Sequence, residues 1–140
     1  MKNKIVDSHC HLDFNDFKDD IQSVLKNARI NNVEYMLSIS VDLDKFEKIH
    51  KLTKTFNNIW CSTGVHPNNV PRNFGDDELK ILKKKLELNS SKKKVIGIGE
   101  TGLDYFRNFE NKNNQMDYFE THLEVASKEK IPLIVHTREA

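Results

Sequence analysis

A chain of 140 residues that is 37% hydrophobic and 31% charged holds enough apolar material for one ordinary domain with a real core. A formal net charge of +1 leaves no global basic field to draw in nucleic acid, and no run approaches the about 18 apolar residues of a membrane span. Two cysteines, Cys10 and Cys61, are too few for a disulfide framework and read as buried thiols in apolar strand-like segments. The N-terminus lacks the long apolar core of a secretory signal, so the expectation is a cytoplasmic protein.

The first predicted element is a strand over Val6-Asp7-Ser8-His9-Cys10-His11-Leu12. Alternation of side chains puts Asp7, His9 and His11 on one face and Val6, Ser8 and Cys10 on the other. A helix follows from Asp16 to about Asn31, with Phe17, Ile21, Val24, Leu25 and Ala28 on one stripe. Tyr35 to Ser40 reads as the second strand, and Asp42 or Asp44 as the cap of a helix carrying Phe46, Ile49, Leu52 and Phe56 inward. The third strand, about Ile59 to Val65, runs into Gly64-Val65-His66-Pro67, and the proline leaves His66 at its C-terminal tip. Asp76 to Leu88 makes a helix with Leu79, Leu82 and Leu86 inward, and Val95 to Glu100 the fourth strand. A polar loop is expected from Thr101 through Asn114, then a helix from about Gln115 to Lys130 with Phe119, Leu123 and Ala126 inward. A fifth strand, Pro132 to His136, follows.

Apolar strands alternating with amphipathic helices argue for a parallel sheet with helices outside it, undivided by any linker. Lys83-Lys84-Lys85 and Lys92-Lys93-Lys94 read as solvated faces and turns rather than as a nucleic-acid patch. Lys92–Lys94 immediately precede a strand, the wrong end for a site built at strand C-termini.

His9, His11, His66, Glu100 and His136 all stand at strand ends, and the spacing is regular. Glu100 follows His66 by 34 residues and His136 follows Glu100 by 36, each about one strand-plus-helix unit. In a parallel barrel the C-terminal strand ends converge on one face, so these side chains would meet. Imidazole with carboxylate suits Zn, Mn or Fe or, with enough oxygen ligands, Mg. Glu100 has two oxygens and could bridge two ions, which suits in-line displacement at a phosphodiester. Asp7 could orient an imidazole or serve only as a strand-end hydrogen-bonding carboxylate.

Asp-Ser-His-Cys-His-Leu-Asp (7–13), Gly-Val-His-Pro (64–67), Gly-Glu-Thr-Gly-Leu-Asp-Tyr (99–105) and Pro-Leu-Ile-Val-His-Thr-Arg-Glu-Ala (132–140) resemble the TatD family of metal-dependent deoxyribonucleases. The helix with Gln115, Phe119, Leu123 and Ala126 resembles the same family, and the match runs in register from Asp7 to Ala140. The one minor departure is Tyr105-Phe106, where a Tyr-Tyr pair is common. The resemblance implies an α/β fold of the (β/α)8 TIM-barrel type, truncated to about five βα units' worth of parallel strands. Residues 1–140 would then be the N-terminal portion of a single barrel.

By the same resemblance, His9 and His11 bind one divalent cation, Glu100 bridges and serves catalysis, and His136 binds the second. Mg²⁺ is expected first, with Mn²⁺ or Zn²⁺ as alternatives. His66 and Arg138 would lie near the substrate, on a phosphate, with a surface ion pair as the alternative for Arg138. Asp104 would sit by the site in the loop after the fourth strand. The implied function is hydrolysis of DNA phosphodiester bonds, exonucleolytic and on single-stranded ends. The family's later His and strand-end Asp have no counterpart here. A second expectation is therefore a non-catalytic remnant, or half of a split gene product awaiting a complementing C-terminal half or self-associating through open sheet edges. A third, another hydrolase of the amidohydrolase superfamily, is disfavoured because Glu100 stands where a carboxylated lysine would be needed.

Overall fold

Valine, isoleucine and threonine alternate with amphipathic stretches along this chain, and the backbone follows that pattern. The computed structural model describes residues 3–140. It contains β1 (Ile5–Cys10), α1 (Ile21–Ile30), β2 (Val33–Ser38), α2 (Phe46–Thr55), β3 (Ile59–Thr63), α3 (Glu78–Ser90), β4 (Val95–Asp104), α4 (Tyr105–Asn108), α5 (Lys112–Glu129) and β5 (Leu133–Arg138). All strand pairings are parallel, in the order β1-β2-β3-β4-β5. A doubly wound sheet reverses its strand order at a switch point; here each strand lies beside the one before it, as in the wall of a β/α barrel. Five parallel strands thus form a half-barrel, with β1 and β5 as its outer strands.

The helices are held by apolar side chains on the outer side of the sheet. Leu12, Met36 and Ile59 form one cluster against which Ile21, Val24, Leu25 and Ala28 pack, so the stripe read from the sequence of α1 is the one used. Phe46 and Ile49 meet Cys61 and Val95, and Leu82 and Leu86 join Ile98, Tyr118, Val125 and Ala126. Asp42 accepts the N–H of Asp44 at the turn that leads into α2, as a capping aspartate should.

Three expectations are corrected. The helix expected from Asp16 begins only at Ile21, after a single tight turn at Asn15–Phe17. The fourth strand continues past Glu100 to Asp104, and the expected loop to Asn114 is largely helical. The longer strand is held by β5, whose Val135 and His136 pair with Thr101 and Gly102, and whose Arg138 pairs with Asp104. The buried face of α5 is also rotated from the expected one. Leu123 is exposed, whereas Gln115, Tyr118, His122, Val125 and Ala126 are buried. Gln115 and His122 are polar yet inside because each has backbone groups to bind there.

The lysine runs, read as solvated faces and turns, include side chains with defined partners. Lys83 pairs with Glu124 across α3 and α5, and Lys92 pairs with Glu47 and lies over the Phe46 ring. Lys94 donates to the carbonyls of Thr53, Phe56 and Asn57, closing the C-terminal end of α2. Among the described residues, no helix is long and apolar enough to cross a membrane.

Candidate metal centre

The C-terminal ends of the strands carry small hydroxyl residues that knit the rim before any ligand is considered. Ser38 Oγ accepts the N–H of Leu12, Ser62 Oγ accepts the N–H of Ser40, and Ser40 Oγ donates to the Gly64 carbonyl. Ser62 also donates to the carbonyl of Gly99, and the N–H of Glu100 donates to the Ser40 carbonyl at 2.8 Å. Glu100 is therefore tied to the ends of β2 and β3 before its side chain does anything. That close approach depends on Gly64, where an added Cβ would collide with the Gly99 backbone.

The strands are irregular where they deliver the candidate site residues. The β4–β5 pairing slips register between Ile98 and Thr101, which brackets Glu100, and Gly99 there holds φ +126°. The β1–β2 pairing slips between Asp7 and Cys10, which brackets His9. Such irregularities bend a strand locally at the point where it presents a side chain. Asp7 uses its carboxylate on the backbone N–H of His9, the plainer of its two readings. Cys10 points away from the site, with Sγ donating to the Leu37 carbonyl, and burial pushes its thiol up to about 12.

Glu100 is 8% exposed and its two oxygens part in opposite directions. Oε2 lies 3.3 Å from His9 Nε2, and Oε1 lies 3.3 Å from His136 Nδ1. His11 stands beside His9, ring centroids 5.3 Å apart, with Nδ1 against the Ile39 carbonyl at 3.1 Å. A carbonyl only accepts, so Nδ1 carries the hydrogen and Nε2 keeps its lone pair free. Phe14 stacks on the other side of this ring at 4.7 Å.

His66 crosses edge-on to His136, centroids 4.3 Å apart. Its Nδ1 accepts the N–H of Asn68, and burial together with neighbouring His136 lowers its pKa, so it is neutral at pH 7. Asp104 is not in a loop but ends β4, 1% exposed, with Oδ2 3.2 Å from His136 Nε2 and Oδ1 accepting the Arg107 N–H. Burial alone would raise the Asp104 carboxyl; the Arg107 N–H, His136 and Asn68 together hold it below the usual range. Arg138 is exposed, its guanidinium 3.8 Å from the centroid of the Phe106 ring.

The structure thus brings together every strand-end residue singled out from the sequence, in two sets that share Glu100. His9, His11 and Glu100 have ligand atoms all within 4.8 Å of one another, and so do His66, Glu100 and His136. The donor chemistry fits divalent cations: imidazoles gathered around one buried carboxylate, although the Nδ1 lone pair of His66 is already taken by the Asn68 N–H. His66, expected beside the substrate, has a ligand atom in range of the second set. An open cavity of about 410 Å³ lies over these groups, lined by His9, His11, Phe14, His66, Asn68 and Arg107 among others.

Two buried residues, Gln115 and His122, to which sequence reading assigned no part in the site, hold this rim from behind. His122 Nδ1 meets the Tyr118 carbonyl at 2.6 Å while Nε2 accepts the N–H of Val65, next to His66. Gln115 brackets Asp104, accepting its N–H at 2.8 Å and donating to its carbonyl and to that of Asn108. In the sequence, His122 lies four residues from both Tyr118 and Ala126, and Gln115 seven from His122, spacings that hint at a shared face.

A family model described as TatD related DNase matches residues 6–140. An uncharacterized metal-dependent hydrolase of Buchnera aphidicola subsp. Acyrthosiphon pisum is 40% identical over 140 residues, covering 97% of this chain and 53% of its own length. Deoxyribonuclease TATDN3 of Homo sapiens is 31% identical over 147 residues, with the same two coverages of 97% and 53%. The crystal structure of YjjV, a TatD homologue from Escherichia coli K12, superposes with a TM-score of 0.82 at 27% identity, covering 96% of this chain and 51% of that one. The chain spans about half the length of the curated relatives it matches.

Proposed function

The chain belongs to the TatD-related deoxyribonuclease family, and on that premise we propose that its strand-end cluster is a two-cation centre for hydrolysis of DNA phosphodiester bonds. The observation that carries this reading is the division of the Glu100 carboxylate, with one oxygen toward His9 and the other toward His136. His9 and His11 would hold one cation and His136 the other, with a Glu100 oxygen available to each. Mg²⁺ is the first expectation, although so many imidazoles suit Mn²⁺ or Zn²⁺ at least as well. Such a pair, when bound, supplies Lewis acidity and a water acidic enough to attack at neutral pH.

The protein's own groups prepare the rest. His66 is neutral, with Nδ1 engaged by Asn68 and its ring against His136, so it can approach a phosphate without competing as a cation. Arg138 sits over the Phe106 ring in an exposed position, where its guanidinium can offer two parallel N–H groups to phosphate oxygens. The open cavity over the centre favours an extended, single-stranded end, cut exonucleolytically. The outer strands β1 and β5 leave Val6 61% and Val135 52% exposed. A complementing half-barrel, or a second copy of the chain, is the partner suited to cover them.

The test is hydrolysis of a 3′-labelled single-stranded oligonucleotide by residues 1–140, with Mg²⁺ or Mn²⁺, beside Glu100→Gln. Metal-dependent cleavage by the wild type, reduced at least about 100-fold in the variant, is expected. Equal background in both would refute catalysis by this chain on its own.

A further inference from the structure

The geometry points to Asp104 as a positioning residue that sets which nitrogen of His136 can bind a cation, with Gln115 on α5 holding Asp104 in place. This rests on the metal-centre reading and adds a residue to it that acts from behind the ligands.

A neutral imidazole carries one hydrogen and one lone pair, and only the lone pair can ligate. His136 lies between two carboxylates, with Nδ1 3.3 Å from Glu100 and Nε2 3.2 Å from Asp104. Both carboxylates accept hydrogen bonds and neither donates, so the single hydrogen goes to one of them. Asp104 is the fixed acceptor. It is 1% exposed, its Oδ1 is engaged by the Arg107 N–H at 2.9 Å, and Oδ2 is left facing the imidazole. Its backbone is gripped on both sides by Gln115, itself fully buried. The hydrogen therefore sits on Nε2, and the Nδ1 lone pair faces the Glu100 side, where His66 also converges. A carboxylate behind a ligating histidine fixes its tautomer and raises its basicity.

Asparagine at this position separates the idea from mere packing. Asp104 uses one oxygen for the Arg107 N–H and the other for His136, so an amide of the same shape must turn its NH₂ toward one of them. If it keeps the Arg107 contact, it donates to Nε2 and drives the hydrogen to Nδ1, blocking the cation.

The experiment uses the full 140-residue chain, wild type and Asp104→Asn, with two readouts. Ring-nitrogen NMR of His136 at pH 8 without metal is expected to show hydrogen on Nε2 in the wild type and its displacement to Nδ1 in the variant. Titration with Mn²⁺, followed by the EPR signal of the free ion, is expected to show affinity about 10- to 100-fold weaker in the variant. Gln115→Leu, which leaves the carboxylate but frees its backbone, is expected to weaken Mn²⁺ binding in the same direction. A wild-type ring with hydrogen on Nδ1, or an Asp104→Asn chain that is folded by circular dichroism and binds Mn²⁺ as tightly as wild type, would overturn the inference. A wild type with the Nε2 hydrogen but no Mn²⁺ binding would instead refute the metal-centre reading and leave the tautomer assignment standing.

Discussion

At the scale of single residues, the polar groups inside this protein are oriented by what stands behind them. His122 is the plainest case because its two nitrogens have opposite partners, the Tyr118 carbonyl and the Val65 N–H. Burial lowers its pKa from 6.5 to about 4, so it stays neutral in the fold but takes up a proton when unfolded below pH 6.5. The unfolded chain then binds more protons, and stability rises with pH through that interval. The contribution is complete above pH 6.5 and is lost as pH falls toward 4, a change of about 3 kcal/mol at 1.36 kcal/mol per unit. Urea unfolding at pH 7 and pH 4.5 is expected to show this slope in the wild type and a flatter one in His122→Gln. An equal slope in both would assign the acid sensitivity to other groups.

The histidines at strand ends and Glu100 stood out in the sequence because each interrupts an apolar strand at its C-terminal edge. Gln115, His122 and the true position of Asp104 did not. Buried polar residues look like surface ones until their backbone partners are known, and those partners lie 11 and 57 residues away.

At the scale of elements, most strands and helices were legible from their apolar spacing, and the failures share a cause. On α5, Leu123 was expected inside and is exposed, since Gln115 and His122 occupy the inner face that an apolar count assigns to leucine. The β4 strand runs on through Thr101-Gly102-Leu103-Asp104 because β5 supplies a hydrogen-bonding partner, which local sequence does not reveal. Alternation placed His9 and His11 on one face and Cys10 on the other, as found, but the register slips beside His9 and Glu100 were not legible from it. Lys94 shows the reverse, a surface-looking lysine given a structural task by three carbonyls at the end of α2. Lys94→Met keeps the side chain's apolar stem and removes its charge. It is expected to cost about 1 kcal/mol, as lost stabilisation of a helix C-terminus. Thermal unfolding measures this, and an unchanged midpoint would show that water serves those carbonyls equally well.

At the scale of the whole molecule, the half-barrel explains how residues far apart in sequence form one cluster. Parallel strands deliver their C-terminal ends to one rim, and the serine network ties that rim together at Ser38, Ser40 and Ser62. The same architecture leaves an inner face with Tyr35 and Trp60 edge-to-face at 5.6 Å, and Tyr35 42% exposed. The two candidate ligand groups come from β1 and His11 just past its end, β4, β5 and the turn after β3, so the proposed centre is expected to take up cations without further strands. The most direct test is anomalous diffraction from crystals of residues 1–140 soaked in Mn²⁺. The account predicts density on each side of the Glu100 carboxylate, one peak beside His9 and His11 and one beside His136. Peaks away from Glu100, or none at millimolar Mn²⁺, would contradict it.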